Sequence, residues 1–139
     1  MNALRPIAYW ISTALLALAL GAGGVLDLTR APEVMTGLER LGYPAYLATL
    51  LGAWKLAGVA ALLAPGLGRL KEWAYAGIAF DLTGAAFSHV ASGDAPGAVA
   101  PIALFVIAAA SWALRPASRL ARPLPWSTGR VPALERRMA

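Results

Sequence analysis

Residues 45–64 read AYLATLLGAWKLAGVAALLA and residues 72–91 read EWAYAGIAFDLTGAAFSHVA. Each is twenty residues long and almost wholly apolar, and each carries one charge near its middle, Lys55 in the first and Asp81 in the second. Twenty helical residues rise about 30 Å, the thickness of the hydrocarbon layer of a bilayer. A charge at that depth costs roughly 2.5 to 3.5 kcal/mol or more, so it normally has a partner or a job. Opposite signs at matching depth point to each other, and a Lys55–Asp81 ion pair is expected.

The rest of the chain extends this pattern. Of 139 residues, 59% are hydrophobic and 14% charged, and the mean hydropathy is +0.62. A soluble domain has about 25% charged residues. Stretches 7–27 and 98–115 join the two already quoted as spans. None has the alternation of a barrel strand, which leaves helices as the spanning option. The expected fold is an all-α, antiparallel four-helix membrane bundle over 1–115, with spans at about 7–27, 45–64, 72–91 and 98–115. A basic, Pro- and Arg-rich tail follows over 116–139 and is expected to be mostly disordered, since Pro116, Pro123, Pro125 and Pro132 interrupt it. A cleaved signal peptide fits the first stretch poorly: Tyr9, Trp10, Ser12 and Thr13 come early in it, and three spans would be left standing alone.

Basic residues set the orientation. Arg5, Arg69, Lys71, Arg115, Arg119, Arg122, Arg130, Arg136 and Arg137 fall on one side, and Arg30 and Arg40 on the other. The positive-inside rule then puts both termini in the cytoplasm and the protein in the inner membrane as a multi-pass chain. The net charge of +5 needs no nucleic acid to explain it. The tail is suited instead to anionic lipid, with the bilayer as first partner. No cysteine is present, which excludes disulfides and thiol chemistry. One histidine makes a dedicated metal site improbable on this pattern. No nucleophile and base stand at usable spacing, and no catalytic residues are assigned.

Between the first two spans, Thr29 is expected to cap a short helix from Pro32 through Leu41. Val34, Met35, Leu38 and Leu41 would form its apolar face, Glu33, Glu39 and Arg40 would face away, and Gly42 and Pro44 would end it. Such a piece lies on the outer membrane surface.

Helical periodicity groups the polar positions. Gly77, Asp81, Gly84 and Ser88 follow one another at steps of 4, 3 and 4 residues and share a face; Gly52, Lys55, Gly58 and Val59 do the same. Small residues on such faces are expected to let the second and third spans pack backbone to backbone. Trp54 adjoins Lys55, where a flat ring could meet a quinone-like ligand. At the outer ends, Asp27, Ser88 and His89 are placed at one level as a second polar group.

Taken together, Tyr9-Trp10 with Ser12-Thr13, Leu41-Gly42-Tyr43-Pro44, Gly52 with Lys55, Leu62-Leu63-Ala64-Pro65, Lys71-Glu72-Trp73-Ala74-Tyr75-Ala76-Gly77, Gly84-Ala85 and Ser88-His89 resemble the DoxX-like family of small bacterial membrane proteins. The resemblance covers about 9 to 115. It implies a four-helix integral membrane protein, associated in some relatives with thiosulfate:quinone oxidoreductases and quinol oxidases. A distantly similar animal protein assists assembly of acetylcholine receptors. The family offers no agreed catalytic motif.

Two functions are therefore expected. One is an accessory subunit or helper of a membrane redox system, not an enzyme on its own, holding a quinone or other lipophile without covalent attachment in a polar core at Lys55, Asp81, Trp54 and Ser88. The other is an assembly factor or chaperone that packs on client helices or on a second copy of itself. A transporter fits less well, because no paired broken helices are evident.

Overall fold

A computed structural model describes residues 4–121, and every regular element in that range is helical. There are five α-helices: α1 (Leu4–Leu28), α2 (Pro32–Arg40), α3 (Tyr46–Leu63), α4 (Gly68–Ala91) and α5 (Val99–Ala113). Short 3-10 turns at Ala95–Ala98 and Ala117–Arg119 flank the last of them. Leu4–Leu28, Tyr46–Leu63 and Ala95–Ala113 are long and apolar enough to cross a membrane. The expected third span, α4, is only one residue shorter than α1 but does not join them on composition, because Arg69, Lys71, Glu72, Asp81 and His89 dilute it.

Each long helix packs on two others, α1 on α3 and α5, and α4 on the same two. Leu16 and Leu20 of α1, Leu62 of α3, Tyr75, Ile78 and Leu82 of α4, and Ala108 of α5 meet in the shared core. Glu72 meets Trp112 and Arg115 at one end of the α4–α5 pair and His89 meets Asp94 at the other, so these helices run antiparallel. The four-residue link from Ala64 to Leu67, with Gly66 at φ +76°, reverses the chain between α3 and α4.

The closest backbone approach is between α1 and α3, not between α3 and α4 as the glycine faces suggest. A Cβ on Gly52 would stand 2.8 Å from the Gly24 carbonyl oxygen and 2.9 Å from the Asp27 Cβ. Gly77 and Gly84 of α4 face open space instead. The periodicity found a small-residue face in each helix, but no pattern within one helix says which neighbour lies against it.

Thr29 does not cap α2. Its hydroxyl donates back to the Val25 and Leu26 carbonyls of α1, and α2 starts at Ala31 without a side-chain cap. The chain turns there through Arg30, whose φ of +51° lies in the left-handed region, and leaves α2 through Gly42 at φ +78°. Leu38 is buried beneath α2, Val34, Met35 and Leu41 are partly buried, and Glu33, Glu39 and Arg40 are exposed.

The end of the molecule that holds the α3–α4 link is filled with satisfied polar groups. Thr13 of α1 and Tyr75 of α4 both hydrogen-bond the Ser111 hydroxyl of α5, each at 2.7 Å, and all three side chains are buried. Lys71, 1% exposed, donates to the carbonyls of Ala61 at 2.7 Å, Leu62 at 3.0 Å and Ala64. Arg119 reaches the Leu62, Leu63 and Ala64 carbonyls and lies over the Trp10 ring. The last carbonyls of a helix lack intrahelical donors and carry the negative end of its dipole, so two cations there complete α3. Arg115, also buried, bonds Glu72 at 2.7 Å and stacks on Tyr75 and Trp112.

The first residues of the tail, 116–121, thus lie against the end of α3 and the start of α4. A Cβ on Gly68 would collide with the Leu120 carbonyl. Pro123, Pro125, Trp126 and the basic residues from Arg122 onward fall outside the described residues.

Candidate functional site

At the opposite end the helices part around a cavity of about 630 Å³. All five α-helices contribute to its wall, which is mostly apolar; α2 closes it through Val34, Gly37 and Leu38. Asp27, Lys55, Asp81, Ser88 and His89 all line it, so five of the six polar or aromatic positions singled out in the sequence meet in one space.

Their pairing differs from the expected one. Lys55 Nζ lies 2.7 Å from Asp27 Oδ2, and no ion pair joins Lys55 to Asp81. Asp27 is buried, and about a fifth of the Lys55 side chain is exposed. The cause is the α1–α3 contact: Asp27 follows Gly24 by three residues and Lys55 follows Gly52 by three, so each lies on the face that the glycines draw together. On α4 the glycines beside Asp81 draw no backbone in. Among the described residues no hydrogen bond reaches the Asp81 carboxylate, and it opens on the cavity and on the adjoining groove.

The outer polar group also divides. His89 Nδ1 lies 2.8 Å from Asp94 Oδ2 rather than against Asp27. Asp94 caps the turn at Ala95–Ala98, accepting from the Gly97 N–H at 3.2 Å. The hydrogen bond from His89 and then that from Gly97 hold the Asp94 carboxyl below the usual carboxylate range. Ser88 donates to the Gly84 carbonyl at 2.8 Å, so in its 2.6 Å contact with Tyr43 the phenol must be the donor. That bond ties the segment after α2 to α4.

Trp54 faces the other way. It is 62% exposed and lines a second, smaller hollow of about 260 Å³ between α3 and α4, with Trp73 on the same rim. Lys55 and Asp81 line this groove too, so it meets the cavity at the charged residues. Trp54 is therefore beside the polar cluster but does not line the cavity.

Tyr43 and Asp94 were missed in the sequence. For Asp94 a signal existed, because an Asp two residues before Pro96 suits a cap. For Tyr43 none did, since only the turn at Gly42 aims the ring at Ser88. Among the described residues no three His, Asp or Glu side chains cluster as metal ligands.

Residues 11–111 match the DoxX-like family. No curated protein and no solved structure matches the chain.

Proposed function

This chain belongs to the DoxX-like family, and from that premise we propose that it is an inner-membrane accessory protein that holds a lipophilic, quinone-like ligand in the cavity beside Lys55 and Asp81. The observation that carries this reading is the cavity itself. Ligand sites are typically about 300–1,000 Å³, mostly apolar, with a few convergent polar groups. This one is about 630 Å³, with charges grouped on α1, α3 and α4. The groove between α3 and α4 offers a lipophile a lateral way in from the acyl chains, past Trp54 and Trp73.

In this reading α4 is the third of four spans in an antiparallel four-helix bundle. Its charged residues turn inward or sit at its ends and the exposed Thr83 hydroxyl bonds back to its own helix, while Trp73, Phe80 and Phe87 are each about three-quarters exposed, as a lipid-facing side requires. The basic end with Lys71, Arg115 and Arg119 is cytoplasmic, both termini lie there, and α2 rests on the outer surface. The protein carries no redox centre of its own and serves a redox partner in the same membrane.

The test is saturable binding of a quinone analogue by the purified protein in native lipid, with loss of binding on Lys55→Met. Absence of measurable binding to the unaltered protein counts against the reading. A second function, an assembly factor that packs on client helices, is favoured by one observation: the open space before Gly77 and Gly84, into which another backbone fits. Photocrosslinkers at those positions should then capture one client helix or a second copy of this chain. Capture of lipid alone speaks for the cavity reading.

A further inference from the structure

We propose that the preferred occupant of the cavity is a lipophile bearing a protonated amine, with its ammonium seated on Asp81. The proposal rests on the reading of the cavity as a lipophile site and departs from it in the head group, an ammonium in place of a quinone. His89 on the cavity wall is engaged by Asp94, which leaves three charged side chains lining the cavity, Asp27, Lys55 and Asp81, the last two of them shared with the groove. With all three ionised they sum to one negative charge. Lys55 is held by Asp27 at 2.7 Å, and no hydrogen bond or ion pair among the described residues reaches Asp81, on which Lys55 acts only from a distance. An isolated charge in a low-dielectric interior is expensive, and a cation brought by a ligand would balance it.

The remaining polar groups agree with this. The Tyr43 proton is committed to Ser88 and the Ser88 proton to the Gly84 carbonyl, so that pair offers the cavity lone pairs and no further donor. Lys55 keeps N–H groups beyond the one it gives Asp27, but its charge is already matched. A ligand that only accepts hydrogen bonds, such as a quinone carbonyl, can use Lys55 and leaves Asp81 unanswered. An ammonium satisfies Asp81 and brings the site to neutrality. Trp54 and Trp73 on the rim of the groove add aromatic faces of the kind that attract cations.

The experiment compares three probes of one ring size on the full chain in lipid nanodiscs: 2-(1-naphthyl)ethylamine, protonated at neutral pH; 2-(1-naphthyl)ethanol; and 2-methyl-1,4-naphthoquinone. Equilibrium dialysis against empty nanodiscs removes simple partitioning. The expected result is saturable binding of the amine at least about tenfold tighter than of the alcohol or the quinone, a gap of about 1.4 kcal/mol. Asp81→Asn should weaken the amine by a similar factor and leave the alcohol unchanged. Equal or tighter binding of the alcohol or the quinone overturns the amine preference and leaves the lipophile reading standing. An amine preference that survives Asp81→Asn overturns the assignment to Asp81. No saturable binding of any probe by the unaltered protein removes the lipophile reading and this inference together.

Discussion

The two ends of this molecule handle buried polarity in opposite ways. Around Ser111 and Lys71 the buried polar groups have their partners, several of them bonded across helices, and the hollow of about 310 Å³ beside them between α4 and α5 holds no unpaired charge. Around Asp27, Lys55 and Asp81 the helices separate, one carboxylate has a cation and the other has none. A buried network that is fully satisfied stiffens the packing it joins, whereas a group left without a partner awaits one. The first arrangement is architecture. The second has the features of a site.

The largest effect should come from breaking the filled end. Lys71→Met removes the donor shared by the Ala61, Leu62 and Ala64 carbonyls; Arg119 still reaches two of them, but Ala61 is left bare. We expect a loss of about 2–4 kcal/mol, read as a lower unfolding midpoint in detergent. Retained stability would mean that Arg119 alone completes α3.

Next comes the contrast between the two glycine faces. Gly52→Ala forces a Cβ against the Gly24 carbonyl and the Asp27 Cβ, and should cost about 1–3 kcal/mol and loosen the Lys55–Asp27 pair. Gly84→Ala adds a methyl to open space and should change stability by less than about 0.5 kcal/mol. Similar costs for both would show that α4 meets a neighbour on that face, which bears directly on the client-helix alternative.

A smaller difference separates the two phenols. Tyr75→Phe deletes a fully buried hydrogen bond to Ser111 and should cost about 1 kcal/mol; Thr13 keeps Ser111 from being orphaned. Tyr43→Phe deletes the bond to Ser88 at a half-exposed ring, costs less, and should raise hydrogen exchange in the segment around α2. Faster exchange around Ser111 than around α2 would reverse the contrast.

The smallest effect concerns Asp94, the partner of the cavity residue His89. Its carboxyl titrates below the ordinary range because of His89 and then Gly97, so the charged form is favoured in the folded chain. A depressed carboxylate contributes fully above its unfolded value, near pH 4, and loses that contribution as pH falls through the lower folded value. The Asp94 carbon resonance should therefore shift only below about pH 4, and Asp94→Asn should leave stability at neutral pH almost unaltered, since the group is exposed. A midpoint at or above the ordinary value would show that the contact with His89 does not persist in solution.

Much of this was legible from residue order. Lys55, Asp81, Asp27, Ser88 and His89 stand out because polar residues in apolar runs are conspicuous, and period 3.6 puts Gly77, Asp81, Gly84 and Ser88 on one face. Lys71 and Arg119 were equally visible but were read as topology signals, because nothing local shows that α3 ends within their reach. Asp94 lay one turn beyond its helix, and Tyr43 on the far side of a bend.

The sequence by itself determined an α-helical, membrane-compatible chain of the DoxX-like family, with polar residues at chosen depths, since hydropathy and helical period act within each segment. Only the tertiary structure decided that Lys55 belongs to Asp27, that Asp81 looks into a cavity, and that the close glycine contact joins α1 to α3. Those choices depend on which backbones of helices distant in the chain approach so closely that a Cβ would not fit between them, as at Gly24 and Gly52. No periodicity inside a single helix encodes that.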